Sequence, residues 1–71
     1  MTPKARRVKD YLEVLSNTKV ERTEQVKEGL EIYIDLWKRA IQKGVITESD
    51  SVDDALVKIQ EKGGLYEAAG V

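Results

Sequence analysis

Apolar residues along the first third of the chain recur at a helical interval. Val8, Tyr11, Leu12 and Leu15 stand at i, i+3, i+4 and i+7, which places them on one stripe of a 3.6-residue helix. Thr2-Pro3 suits a helix opening, since a Thr hydroxyl caps early N–H groups and Pro at the first helical position lacks only an N–H that has no partner there. Ser16-Asn17 then reads as a stop, so the pattern predicts a helix over 3–16. Thr18-Lys-Val-Glu21 has the form of a capping box, with Thr23 as a later alternative start, and Gly44 stands where a left-handed C-terminal cap belongs. A second, longest helix is therefore expected over 19–43. Ser51-Val-Asp-Asp54 resembles another capping box, Val52, Ala55, Leu56 and Ile59 repeat the helical spacing, and Gly63-Gly64 close a third helix over 51–62. The tail from Leu65 to Ala69 is compatible with one more helical turn or with an extended strand of chain.

The second helix carries an unusually wide apolar face. At 100° per residue from Leu30, the side chains of Val26, Ile34, Trp37 and Ile41 lie within about 40°, while Tyr33, Ala40, Leu36 and Ile32 widen the arc to roughly 200°. One neighbouring helix covers about a third of a helix surface, so this arc implies two packing partners, either both internal or one of them another subunit. Gly29 falls inside it. A mid-helix Gly costs about 1 kcal/mol relative to Ala, which is either a tolerated defect or the means of a close helix approach. Ile32 and Leu36 lie at the far edge of the arc, where a lone three-helix monomer would leave them wet, and with Gly29 they form the candidate interface.

The chain has 71 residues, enough for one domain spanning 1–71, and its apolar share of 41% and charged share of 35% suit a folded helical domain rather than a disordered one. The expectation is an all-α, antiparallel three-helix bundle with a short C-terminal tail. A domain of this size is marginal alone, which together with the wide arc favours an oligomer. The absence of Cys and His excludes disulfide frameworks, zinc fingers, thiolate nucleophiles and imidazole acid/base chemistry. No cofactor and no enzymatic activity are expected. Leu30 to Ile41, the longest hydrophobic segment, is interrupted by Glu31, Asp35, Lys38 and Arg39, so no membrane partner is expected; the basic N-terminus leads into charged sequence rather than an apolar signal segment, and the expected location is cytoplasmic.

Charge is unevenly distributed although the net value is only −1. Residues 1–24 hold six basic and four acidic side chains, residues 25–44 four and three, and residues 45–71 two lysines against six carboxylates. Lys4, Arg6, Arg7 and Lys9, uninterrupted by acids, form a basic arm that could contact phosphates, pair with the acidic third helix, or remain a solvated face. Glu48, Asp50, Asp53 and Asp54 are the one carboxylate cluster; they lack the Gly and terminal Glu of a calcium loop and are better read as caps and dipole partners of the third helix. Trp37 and Tyr33, four residues apart on the apolar arc with the charges opposite, suit packing rather than base stacking. Gly63-Gly64 lacks the following Lys-Ser/Thr of a phosphate loop.

Two resemblances bear on nucleic acid. Thr18 to Ile59, with Ser51, Val52, Ala55 and Leu56 at the second helix, resembles ribbon-helix-helix repressors, although Glu21 between Lys19 and Thr23 sets a carboxylate in the reading strand. Leu36-Trp-Lys-Arg-Ala-Ile-Gln-Lys-Gly-Val-Ile46 resembles the end of a winged-helix recognition helix and its exit into the wing. These resemblances imply a small DNA-binding regulator of prokaryotic or viral type. The residues themselves favour a non-enzymatic protein-interaction or oligomerisation module, partnered by a second copy or another protein, with nucleic acid the less favoured partner.

Overall fold

A computed structural model describes residues 7–71, and over these the chain is all-α. Four helices follow one another: α1 (Val8–Val20), α2 (Glu24–Gln42), α3 (Val52–Glu61) and α4 (Leu65–Ala69). Among the described residues there is no strand, and the sole β-type pairing is an isolated antiparallel bridge between Arg7 and Ser51.

The expected helices are present with shifted ends. Arg7 is extended (φ −123°, ψ 153°), so α1 opens at Val8; the Thr2-Pro3 opening lies outside the described residues. Asp50 and Glu48 carbonyls accept from the first two helical N–H groups, Val8 at 2.9 Å and Lys9 at 3.2 Å, which satisfies donors that a side-chain cap would otherwise serve. At its other end α1 runs through Ser16-Asn17 to Val20, correcting the expected stop. Thr18 is consequently helical and is no cap. The break falls at Glu21-Arg22-Thr23, and α2 starts behind Thr23, the later of the two readings. The low intrinsic preference of Ser and Asn for helix is a few tenths of a kcal/mol per residue, too little to end a helix by itself.

The other boundaries follow their sequence cues. Ser51 Oγ accepts from the Asp54 N–H at 3.1 Å, with Asp53 and Asp54 in the first turn of α3. Gly44 takes φ +80°, its N–H donates to the Ile41 carbonyl, and the Val45 N–H donates to that of Ala40 at 3.1 Å. This is the double hydrogen bond of a left-handed helix cap.

The tail adds α4, which the spacing left open between a helical turn and extended chain. Gly64, at φ +117° and ψ 177°, occupies backbone space open essentially to glycine alone, and turns the chain into α4. Leu65, Ala68 and Ala69 then stand at i, i+3 and i+4, with both alanines buried. This short helix packs on α2, as does α1, while α3 packs on α1 and α4. Hence the wide arc of α2 does have two partners, and both are internal. Val8, Leu12, Ile34, Trp37, Ala40, Ile46, Ala55, Ile59 and Ala68 form the core, gathered around the C-terminal half of α2. No residue from Glu24 to Tyr33 is buried. The molecule is flat, measuring 33 × 32 × 16 Å along its principal axes.

Candidate interaction surface

Aromatic packing anchors α2 to α1. Trp37 is 1% exposed, as its flanking apolar positions predict, and meets Tyr11 edge to face at 5.4 Å between ring centroids and Tyr33 at 6.2 Å. Tyr11 and Tyr33 also meet edge to face, with their hydroxyls 3.1 Å apart in a hydrogen bond. Burial, then the Tyr33 hydrogen bond and charge, push the Tyr11 phenol up to about 12. The two phenols therefore partner each other. Among the described residues the buried Trp37 indole N–H has no hydrogen-bond partner.

The candidate interface divides at Leu36. Ile32 is 57% exposed and Gly29 is exposed, but Leu36 is only 5% exposed, which corrects the expectation of a wet Ile32–Leu36 ridge. The physical reason is the added helix: with α1 and α4 both against α2, cover within the chain extends to the flank that holds Leu36 and Ala40. Toward the N-terminus of α2 that cover ends. Val26 is 45% exposed there, and a methyl group built on Gly29 would meet no atom of the described residues within 4 Å. The close approach that a glycine allows is thus not used by any described helix of the same chain.

The basic arm is only partly visible, because Lys4 and Arg6 lie outside the described residues. Arg7 and Lys9 line one polar recess together with Asp10, Glu13 and Glu48, so two cations sit among three carboxylates. That surrounding field is unfavourable to a polyanion. Arg7 also lies beside Ser51 at the start of acidic α3, joined through backbone. Between α1 and the C-terminal half of α2 runs a groove of about 510 Å³, lined by apolar Leu12 and Ile41 and by charged Lys9, Glu13, Lys38 and Glu48. Its signs alternate and single out no charged ligand.

Asp50 is committed structurally. Its carboxylate accepts from the Thr47 N–H at 3.0 Å and from Lys58 Nζ at 2.9 Å, tying the loop after α2 to α3; the Lys58 hydrogen bond foremost, then that of Thr47, holds its carboxyl below the usual range. Among the described residues no cluster of acidic side chains could hold a metal ion, and no helix is long and apolar enough to cross a membrane. The strand required by the ribbon-helix-helix resemblance falls on Thr18 to Thr23, which is helix as far as Val20 and a turn beyond it, and among the described residues no wing strand follows Gly44. Compared with known proteins, the chain matches no protein-family model, no curated protein and no solved structure.

Proposed function

We propose that this chain is a non-enzymatic protein-interaction module that works by self-association or by docking another protein through the N-terminal half of α2. The observation that carries this reading is the unburied stretch Glu24–Tyr33, in which Val26 and Ile32 are exposed on either side of an open Gly29. Large aliphatic side chains gain roughly 1.5–3 kcal/mol each on full burial, so such a stretch is a store of association energy left over after folding. The carboxylates around Arg7 and Lys9 weigh against a nucleic-acid partner. Sedimentation equilibrium tests the reading: wild-type mass rises above 8.0 kDa with concentration, and Ile32→Lys reduces the rise while circular dichroism stays helical. A mass of 8.0 kDa throughout the micromolar range contradicts self-association and leaves docking of another protein as the reading.

A further inference from the structure

We infer that α4 is a displaceable cover on α2: the chain opens at Gly63-Gly64 and lifts α4 away while α1, α2 and α3 stay packed, which joins buried Leu36 to exposed Ile32 in one apolar strip. The inference concerns a motion within the chain and stands whether or not Glu24–Tyr33 docks a partner. Three observations lead to it.

The first is how α4 is held. Among the described residues no hydrogen bond and no ion pair joins residues 65–71 to α1, α2 or α3; Ala68, Gly70 and Val71 donate to the carbonyls of Gly64, Glu67 and Tyr66, all within the same segment. The attachment of α1 is of another kind. Val8 and Lys9 donate to the Asp50 and Glu48 carbonyls, the Tyr11 and Tyr33 hydroxyls bond each other, and Lys19 pairs with Glu31. By contrast α4 rests on its neighbours through small side chains, with Ala68 and Ala69 buried and Leu65 half-buried. Five residues make less than one and a half helical turns, too few to keep helical form alone. Docking therefore maintains α4, and lifting it costs no polar contact with the other helices.

The second is the hinge. Gly63 and Gly64 follow one another at φ +100° and +117°, and two successive glycines give the link between α3 and α4 a range of backbone angles closed to other residues. The hydrogen bonds that end α3 are complete at the Gly64 N–H, which donates to the Ile59 carbonyl at 3.0 Å. Rotation beyond that atom swings α4 and breaks none of them.

The third is what α4 covers. Leu36 and Ala69 are buried yet stand apart from the core that gathers the other buried residues. Lys43, seven residues after Leu36 and so within about 20° of it around α2, lies against the end of α4, where a Cβ on Gly70 would come within 2.8 Å of its Cε. This contact sets α4 over the side of α2 that holds Leu36. Ile32, one turn earlier and 57% exposed, lies beyond the cover. With α4 lifted, Ile32 and Leu36 form one uninterrupted strip, which the closed chain withholds.

The chain contains no cysteine, so a single introduced thiol reports opening without background. Ala69→Cys places one on α4 and Ala55→Cys one on α3, at positions 1% and 0% exposed. Toward an aromatic disulfide reagent, Ala69→Cys should react at least about tenfold faster than Ala55→Cys, at a rate that low urea leaves unchanged while that of Ala55→Cys rises. Leu36→Cys should react at a rate likewise unmoved by low urea. Adding Gly64→Ala, whose Cβ is strained at φ +117°, should speed Ala69→Cys and leave Ala55→Cys unchanged. In the unmodified chain, the Ala68 amide, bonded to Gly64 at 2.9 Å, should exchange with deuterium at least about tenfold faster than the Ala55 amide, bonded to Ser51 at 2.9 Å. Equal thiol rates, or equal amide rates in the unmodified chain, mean that α4 leaves only when the whole chain unfolds and overturn the inference. A Leu36→Cys rate that rises with urea as Ala55→Cys does overturns the uncovered strip.

Discussion

Replacing Trp37 with alanine and with phenylalanine probes the core at its largest fully buried side chain. At 1% exposure, the indole fills the space between α1 and α2 and touches two tyrosine rings edge to face. Truncating a buried Trp to Ala costs roughly 3–5 kcal/mol through lost transfer energy and the cavity left behind. A 71-residue domain has a total stability of roughly 4–11 kcal/mol, so the Ala variant should sit near or below its own unfolding threshold. Phenylalanine tests a separate component. It keeps a ring against Tyr11 and Tyr33 but removes the indole N–H, which has no acceptor among the described residues; a buried donor in that state costs roughly 1–3 kcal/mol. Relief of that cost offsets much of the lost volume, and Trp37→Phe should lose about 1 kcal/mol or less. Urea denaturation followed by far-ultraviolet circular dichroism gives both values as midpoint shifts at constant slope. An Ala variant within about 1 kcal/mol of wild type would refute the placement of Trp37 in the core. Equal losses for Phe and Ala would refute the reasoning about the unpartnered donor.

Further outcomes follow from individual contacts. Ser51→Ala removes the cap accepting from Asp54 and should cost about 1 kcal/mol in thermal or chemical unfolding; no change would remove the cap from the account. Because the folded state holds the Tyr11 phenol at about 12 against an ordinary 10.0, its contribution is intact below pH 10 and is lost as pH rises from there toward 12, and Tyr11→Phe should flatten that alkaline decline in stability. Asp50 has the opposite sign: its lowered carboxyl contributes above its ordinary 3.8 and loses that contribution as pH falls through the folded value, so Lys58→Gln should move the Asp50 titration, followed by carbon-detected NMR, upward. Gly29→Ala should raise monomer stability by roughly 1 kcal/mol, measured at dilutions where association is absent, and a loss there would mean that the glycine serves the single chain.

The legibility of this fold varied with how local its causes are. Ser51 as the cap of α3 and Gly44 as the end of α2 are decisions taken within four residues, and side-chain chemistry states them outright. The burial of Trp37 follows from Leu30, Ile34 and Ile41 around it on one face. By contrast, α1 runs through exposed Ser16 and Asn17 to exposed Val20, and a 3.2 Å ion pair joins Lys19 to Glu31 of α2. Propensity opposes that extension only weakly, and no local cue marks its end. The five residues of α4 are too few to register as a helix by periodicity, yet α4 is the second neighbour that the arc of α2 demanded. For that reason Leu36, placed at a wet edge by the helical wheel, is buried, while Ile32, 40° further round, is exposed. The wheel placed both at the uncovered edge and holds for Ile32 alone. What it could not supply was the identity of the covering element.

Backbone amide shifts followed through a dilution series by heteronuclear NMR test most directly the claim that the first half of α2 is the associating surface. Concentration-dependent shifts should gather at Gln25, Val26, Gly29 and Ile32 and vanish in Ile32→Lys, while Lys9, Glu13 and Lys38 along the groove between α1 and α2 stay fixed. Shifts confined to that groove, or spectra that do not change from the micromolar to the millimolar range, would contradict it.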